Sequence, residues 1–200
     1  AYLKIAEGCN NYCAFCIIPK LRGRYRSRRM EDLLEEARTL AADGVKELIV
    51  VAQDTSRYGE DLYGERKLPE LLRALCKIEG FHWIRVHYLY PEAISEELIE
   101  VFASEDKIVK YFDIPFQHIN DEILHKMNRH TDGAYIRRLV THLRERIPDA
   151  VFRTSLITGL PGEGEAEFEE LCTFLKEYKM QQAEIARQEA IIARYRMYNR

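Results

Sequence analysis

IAEGCNNYCAFCIIPKLRGRYRSRR, residues 5–29, carries Cys9, Cys13 and Cys16 in a Cys-x3-Cys-x2-Cys spacing. A short β-type run, Tyr2-Leu3-Lys4-Ile5, and Gly8 precede the first of them. A loop of this length can curl its three sulfurs toward one centre, and three thiolates suit a soft metal, either zinc or an iron–sulfur cluster. A structural zinc site built wholly from protein takes four ligands. No fourth Cys or His lies nearby, the first histidine being His82. Three protein ligands leave one position open, as catalytic metals need and structural ones do not. A zinc clip or a disulfide is the structural alternative.

The 200 residues fit one large domain, and a 46% hydrophobic content suffices for a sizeable core and argues against disorder. A net charge of −3 gives no global nucleic-acid footprint. Locally, Lys20, Arg22, Arg24, Arg26, Arg28 and Arg29 crowd six cations into ten residues. That strip reads equally as a solvated loop or as an anion-attracting rim. Cys76 and Cys172 sit in apolar helical settings, where an inert buried thiol is the default. No stretch of the sequence resembles a secretory signal, and no apolar run reaches membrane-spanning length. A cytoplasmic chain is expected, in which thiols stay reduced and Cys clusters favour metals over disulfides.

Outward from the cysteine loop, residues 30–43 put Leu33, Leu34, Ala37, Leu40 and Ala41 on one helical stripe, stopped by Gly44. Residues 47–52 (ELIVVA) are a continuous apolar run of strand length, which suits a parallel strand buried on both faces. Residues 67–78 read as a helix with Pro69 tolerable only in its first turn. Residues 83–88 (WIRVHY) read as a strand, and 95–102 as a helix capped by Ser95. A strand at 110–114, helices at 121–127 and 134–146, a strand at 151–157 and a helix at 165–178 complete the pattern. Five strands alternating with helices predict an α/β fold of parallel βα units, a TIM-like barrel or an open part of one. Sites in such folds lie at the carboxyl ends of strands. The polar clusters fall there: the cysteines, then Gln53-Asp54-Thr55, Tyr88-Leu89-Tyr90-Pro91, Pro115-Phe116-Gln117-His118, and the turn from Thr158 to Glu163.

Gly8-Cys9-Asn10, Phe15-Cys16, Ile18-Pro19 and Arg22-Gly23-x-x-Arg26-Ser27-Arg28 resemble the signature of the methylthiotransferase branch of the radical S-adenosylmethionine (SAM) superfamily. The resemblance runs over residues 2–180. It implies a radical SAM partial TIM-like barrel and a 4Fe–4S cluster with three irons on Cys9, Cys13 and Cys16. SAM would chelate the fourth iron through its amino and carboxylate groups. An electron from a low-potential donor then splits SAM into methionine and a 5′-deoxyadenosyl radical. The strand-end motifs look like those of members that add a methylthio group to the β-carbon of an aspartate in a small-subunit ribosomal protein. That protein, or the ribosome carrying it, is then the partner. Members acting on a tRNA adenosine are the alternative. From a different class comes a non-enzymatic zinc module that docks RNA through residues 22–29.

Within the resemblance, Phe15, Gln53, Asp54, Gln117, Arg153 and Gly159 are expected to contact SAM. Gln53 and Asp54 would meet its methionine part, although a helix cap or turn is their plain alternative. Gln117 would bond a ribose or a carboxylate, whereas His118 reads as structural. Arg153, inside a strand, would either grip the SAM carboxylate or form an internal ion pair. Gly159 opens a Gly-rich turn where backbone can approach the adenine or its ribose. Gly164 stands where the family usually has Thr, which weakens the next helix cap. Tyr58-Gly59 and Tyr63-Gly64 are either simple turns or the lining of a substrate channel. The family also carries an N-terminal domain with a second 4Fe–4S cluster and a small C-terminal barrel. Residues 1–180 are read as the radical SAM core. No sixth strand is evident after residue 178, and residues 181–200 read as a helix linking to a C-terminal domain.

Overall fold

Six parallel strands follow one another around an incomplete barrel, in the order in which they occur along the chain. The computed structural model describes residues 1–180 and the backbone of 182–187. Its elements are β1 (Tyr2–Lys4), β2 (Ala6–Glu7), α1 (Ile18–Arg22), β3 (Arg26–Ser27), α2 (Met30–Ala42), β4 (Glu47–Val51), α3 (Glu60–Tyr63) and α4 (Leu68–Cys76). There follow β5 (Trp83–Val86), α5 (Glu96–Ser104), β6 (Tyr111–Asp113), α6 (Asp121–Lys126), α7 (Gly133–Arg146), β7 (Val151–Thr158), α8 (Glu165–Glu177) and β8 (Gln182–Arg187).

In one sheet β4 lies between β1 and β5, with Leu3 opposite Val50 and Leu48 opposite Ile84. In the other β7 lies between β6 and β8, with Phe112 opposite Phe152 and Leu156 opposite Ile185. A parallel bridge from Ile84 to Ile108 joins the two, and the Leu89 amide donates to the Asp113 carbonyl at 2.9 Å. Among the described residues β1 and β8 do not pair, so the barrel stays open between them.

Alternation along the strands decides which face is covered. Leu3, Leu48, Val50, Ile84, Val86, Phe112 and Phe152 point outward and are buried beneath Leu33 and Ala37 of α2, Leu71 and Leu75 of α4 and Phe102 of α5. Phe102, Phe112 and Phe152 stack in sequence, with centroids 4.6 and 5.6 Å apart. The inner face carries ion pairs instead, Arg85 to Glu47 at 2.6 Å and Arg153 to Asp113 at 2.8 Å. Residues 47–51 are therefore covered fully on one face only, not on both as their apolar run suggests, because an open barrel admits solvent to its interior.

The local start and stop signals act as the sequence predicts. Ser95 Oγ accepts from the Leu98 amide at 3.2 Å, Pro69 sits in the first turn of α4, and Gly44 (φ +88) ends α2. The tail differs. A helix expected from residue 181 is, over Gln182–Arg187, the strand β8. The outer edge of β7 presents unpaired amides and carbonyls, and pairing them along six residues outweighs the helical preference of an Ala- and Glu-rich segment. The expected helix over residues 188–200 lies outside the described residues.

Candidate functional site

The cysteine loop is built from its neck outward. β2 and β3 pair antiparallel, Ala6 opposite Ser27 and Glu7 opposite Arg26, which ties the two ends of the loop together. Gly8 (φ +82) turns the chain directly beneath residues 23 and 24; a Cβ there would stand 2.3 Å from the Arg24 carbonyl oxygen. The Cys9 amide donates to the Gly23 carbonyl at 3.2 Å, and Asn10 Oδ1 accepts from the Tyr25 amide at 3.0 Å. Behind the loop Asn11 Nδ2 donates to Asp54 Oδ2 at 2.9 Å, and the Tyr25 hydroxyl to the Asp54 carbonyl at 2.8 Å. A second brace comes from the end of α6. Asn128 Nδ2 donates to the Tyr12 carbonyl at 2.9 Å, and the Ala14 amide to the Met127 carbonyl at 3.0 Å.

The loop forms one wall of a cavity of about 440 Å³ at the carboxyl end of the barrel. Cys9, Cys13, Phe15 and Cys16 line that wall; Gln53, Tyr88, Gln117 and Ser155 approach from the ends of β4 to β7. No carboxylate or imidazole is among the described residues that line it. The backbone is strained around this space. Tyr12, Tyr88, Gln117 and Asn128 all have positive φ, and Lys179 is the only other non-glycine residue described that does. Such conformations cost about 1–3 kcal/mol each and gather where function holds them.

Cys9 and Cys13 are buried and Cys16 half-buried, and all three are free thiols. Burial pushes the Cys9 thiol upward, the Asp54 carboxylate adds to this, and the Asn11 amide opposes it. A bound cation reverses that balance, since a coordinating thiol gives up its proton. Among the described residues no three Cys, His, Asp or Glu side chains meet where a single ion could bind. Cluster irons each take their own thiolate, so their ligands surround a volume without meeting at a point. The donor set therefore suits a cluster better than a zinc clip.

Six of the sequence-predicted residues come together here: the three cysteines, Phe15, Gln53 and Gln117. Asp54, Arg153 and Gly159 are not among the lining residues. Asp54 is wholly buried, with Ser56 Oγ donating to it at 2.6 Å and Arg57 Nε as an ion-pair partner at 3.2 Å. Burial raises its carboxyl pKa, opposed by those bonds. Arg153 precedes Ser155 by two positions on the same strand face and is paired with Asp113. The Gly159 amide donates to Glu163 Oε2 at 2.6 Å. His118 is buried as a structural residue, Nδ1 accepting from the Asn120 amide at 3.0 Å and Nε2 lying 3.4 Å from Glu163 Oε1. Tyr58 is no channel residue: it is buried, and its hydroxyl donates to the Arg28 carbonyl at 2.9 Å. Tyr63 accepts from the Met30 amide. Cys76 is buried, which pushes its thiol up to about 12 and fits an inert role, whereas Cys172 is half-buried.

Arg129 is the residue that sequence reasoning missed. It is 6% exposed, lines the cavity and lies 3.9 Å from the Tyr90 ring centroid. The only local cue is Asn128-Arg129 directly after a short helix. Tyr90, legible only as part of a strand-end motif, places its hydroxyl 2.7 Å from Cys13 Sγ.

The signature of the radical SAM superfamily matches residues 3–175. The chain is 56% identical over 179 residues to the ribosomal protein uS12 methylthiotransferase RimO of Alkaliphilus oremlandii, covering 90% of this chain and 41% of that protein. It is 53% identical over 177 residues to the RimO of Aquifex aeolicus, covering 88% of this chain and 41% of that one. The chain thus spans about two fifths of the length of the curated relatives it matches. Among solved structures, the radical SAM methyltransferase TsrM of Kitasatospora setae superposes with a TM-score of 0.73 at 17% identity, over 94% of this chain and 36% of that one. Methylornithine synthase superposes with a TM-score of 0.64 at 12% identity, over 94% of this chain and 52% of that one. At such identities the likeness speaks for the fold, and the match along residues 3–175 decides the lineage: the chain belongs to the radical SAM superfamily.

Proposed function

We propose that this chain is the catalytic core of a methylthiotransferase that adds a methylthio group to the β-carbon of an aspartate in a small-subunit ribosomal protein. The observation that carries this reading is the cavity in which Cys9, Cys13 and Cys16 face Gln53 and Gln117 across strand ends. Its size is that of a small-molecule site. The names of the relatives supply the methylthio group and the ribosomal substrate. Among the described lining residues there is no carboxylate or imidazole, which suits hydrogen abstraction from an unactivated carbon better than acid–base chemistry.

When bound, a reduced 4Fe–4S cluster and one SAM would supply a radical able to take that hydrogen, the second cluster expected in the family's N-terminal domain would give the sulfur, and a second SAM the methyl group. The chain's own residues hold and shield them. Cys9, Cys13 and Cys16 are the cluster ligands. Phe15 packs on the ligand, Gln53 bonds its amino-acid end, and Gln117 its ribose or carboxylate. Asp54 acts one layer behind, fixing the loop through Asn11. Arg153, paired with Asp113, and Gly159, bonded to Glu163, stand outside the lining and are not asked to hold the ligand. The work is cytoplasmic, with a low-potential reductant as the electron source. The strip of residues 20–29 contributes as well. Lys20, Arg24 and Arg26 are exposed and form no ion pair with a carboxylate among the described residues, so they complement RNA phosphates around the target protein.

Low-temperature EPR of the anaerobically reconstituted, reduced protein tests this. A 4Fe–4S signal that changes when SAM is added is expected; a signal indifferent to SAM, or none, overturns the reading. Label from methyl-labelled SAM should appear in the ribosomal protein; label in tRNA instead would reassign the substrate.

A further inference from the structure

We propose that Arg129 and Tyr90 are positioning residues that make Cys13 the most strongly hydrogen-bonded of the three cluster ligands and so ease reduction of the bound cluster. This rests on the reading of Cys9, Cys13 and Cys16 as ligands of a 4Fe–4S cluster. The Tyr90 hydroxyl lies 2.7 Å from Cys13 Sγ. A coordinating thiolate carries no proton, so the phenol is the donor. Arg129 Nη1 donates to the same sulfur at 3.8 Å and Nη2 to the Pro115 carbonyl at 2.9 Å. The guanidinium carbon stands 3.9 Å from the Tyr90 ring centroid, where it draws electron density from the phenol and sharpens its O–H as a donor. Among the described residues no side chain donates to the sulfur of Cys9 or Cys16, and Cys9 receives only the Asn11 amide.

The charge balance points the same way. Arg129 is buried, its Nε has no hydrogen-bond partner, and it forms no ion pair with a carboxylate among the described residues. A buried cation left so is costly unless a negative group completes its surroundings. The buried Asp54 carboxylate acts on Arg129 from beyond ion-pair distance, and three thiolates around a cluster would add the negative group in direct contact with it. One-electron reduction by an external donor would add a further negative charge at the cluster, which two donors, one of them cationic, would stabilise.

The test is a redox titration of the cluster-loaded protein followed by EPR, using Tyr90→Phe, Arg129→Gln and Arg129→Lys. Tyr135→Phe is the control, since it removes a phenol that donates to the Pro91 carbonyl and not to sulfur. Tyr90→Phe and Arg129→Gln should each make reduction about tenfold less favourable, a shift of about 59 mV to lower potential for one electron. Arg129→Lys keeps the charge and should shift less. Unchanged potentials in Tyr90→Phe and Arg129→Gln, or an equal shift in Tyr135→Phe, overturn the proposal. Should Arg129→Gln fail to fold, Tyr90→Phe decides, because it retains the ring on which Arg129 rests. A wild-type protein that takes up no cluster would sink the underlying reading of the cysteines; a loaded wild type with unshifted variants sinks this inference alone.

Discussion

Cys13 is reached by side chains from two distant parts of the chain, while its own loop is held by backbone bonds, three asparagine side chains and a glycine. Each kind of support fails differently. Cys13→Ala removes a ligand and should abolish formation of 5′-deoxyadenosine from SAM, read by chromatography of the quenched reaction; retained product would refute the ligand assignment. Gly8→Ala acts on the backbone. It forces a Cβ to within 2.3 Å of a carbonyl at φ +82, so unfolding in urea should show a loss of about 2–4 kcal/mol. His118 responds to protons. Burial lowers its pKa in the folded chain despite the neighbouring Glu163, Glu167 and Glu170. Below about pH 6.5 the unfolded state therefore binds the extra proton more readily, and stability falls as pH falls. His118→Asn should flatten this slope between pH 7 and 5, leaving a residue of the same sign from His87, whose pKa burial also lowers. The cysteines were legible because their spacing is local. Arg129 was not: what makes it matter is a sulfur 116 positions earlier in the chain, and no periodicity records that.

Elements were legible where their signals are local too. The stripe of α2, the cap of α5 and the apolar run of β4 sit where pattern and punctuation place them. β8 was not, because its pairing depends on the free edge of β7 more than on its own composition. α1 and the β2–β3 ribbon escaped for a related reason: pieces of five and two residues are too short to show a period. The start of α8 offers a direct check. Gly164 is its N-cap with extended backbone and no side-chain cap; Glu167 Oε2 accepts the Gly164 amide at 2.8 Å, half of a capping box. Gly164→Ser supplies the missing acceptor and reduces the freedom of the unfolded chain. It should raise stability by about 0.5–1 kcal/mol in thermal or urea unfolding.

For the molecule as a whole, five parallel strands alternating with helices were readable from the sequence pattern, whereas β8 and the opening between β1 and β8 depend on edge pairing that no local pattern records. Its charge matters at the same scale. Replacing Lys20, Arg24 and Arg26 together by Ala should weaken binding to small ribosomal subunits and lower the slope of log K against log salt by about 2–3. An unchanged slope would remove RNA from the account of that strip. The brace on the cysteine loop has a consequence for biosynthesis. Asn128 and Arg129 emerge from the ribosome long after Tyr12 and Cys13, with separations of 116 residues in both contacts. At 5–20 residues per second the three thiols wait roughly 6–23 s before their clasp exists. During that interval they are an unguarded trio on a nascent chain, open to oxidants and to stray ions. Loading is thus an event for the finished core, and the timing of translation sets how long the site must be protected before its cofactor can arrive.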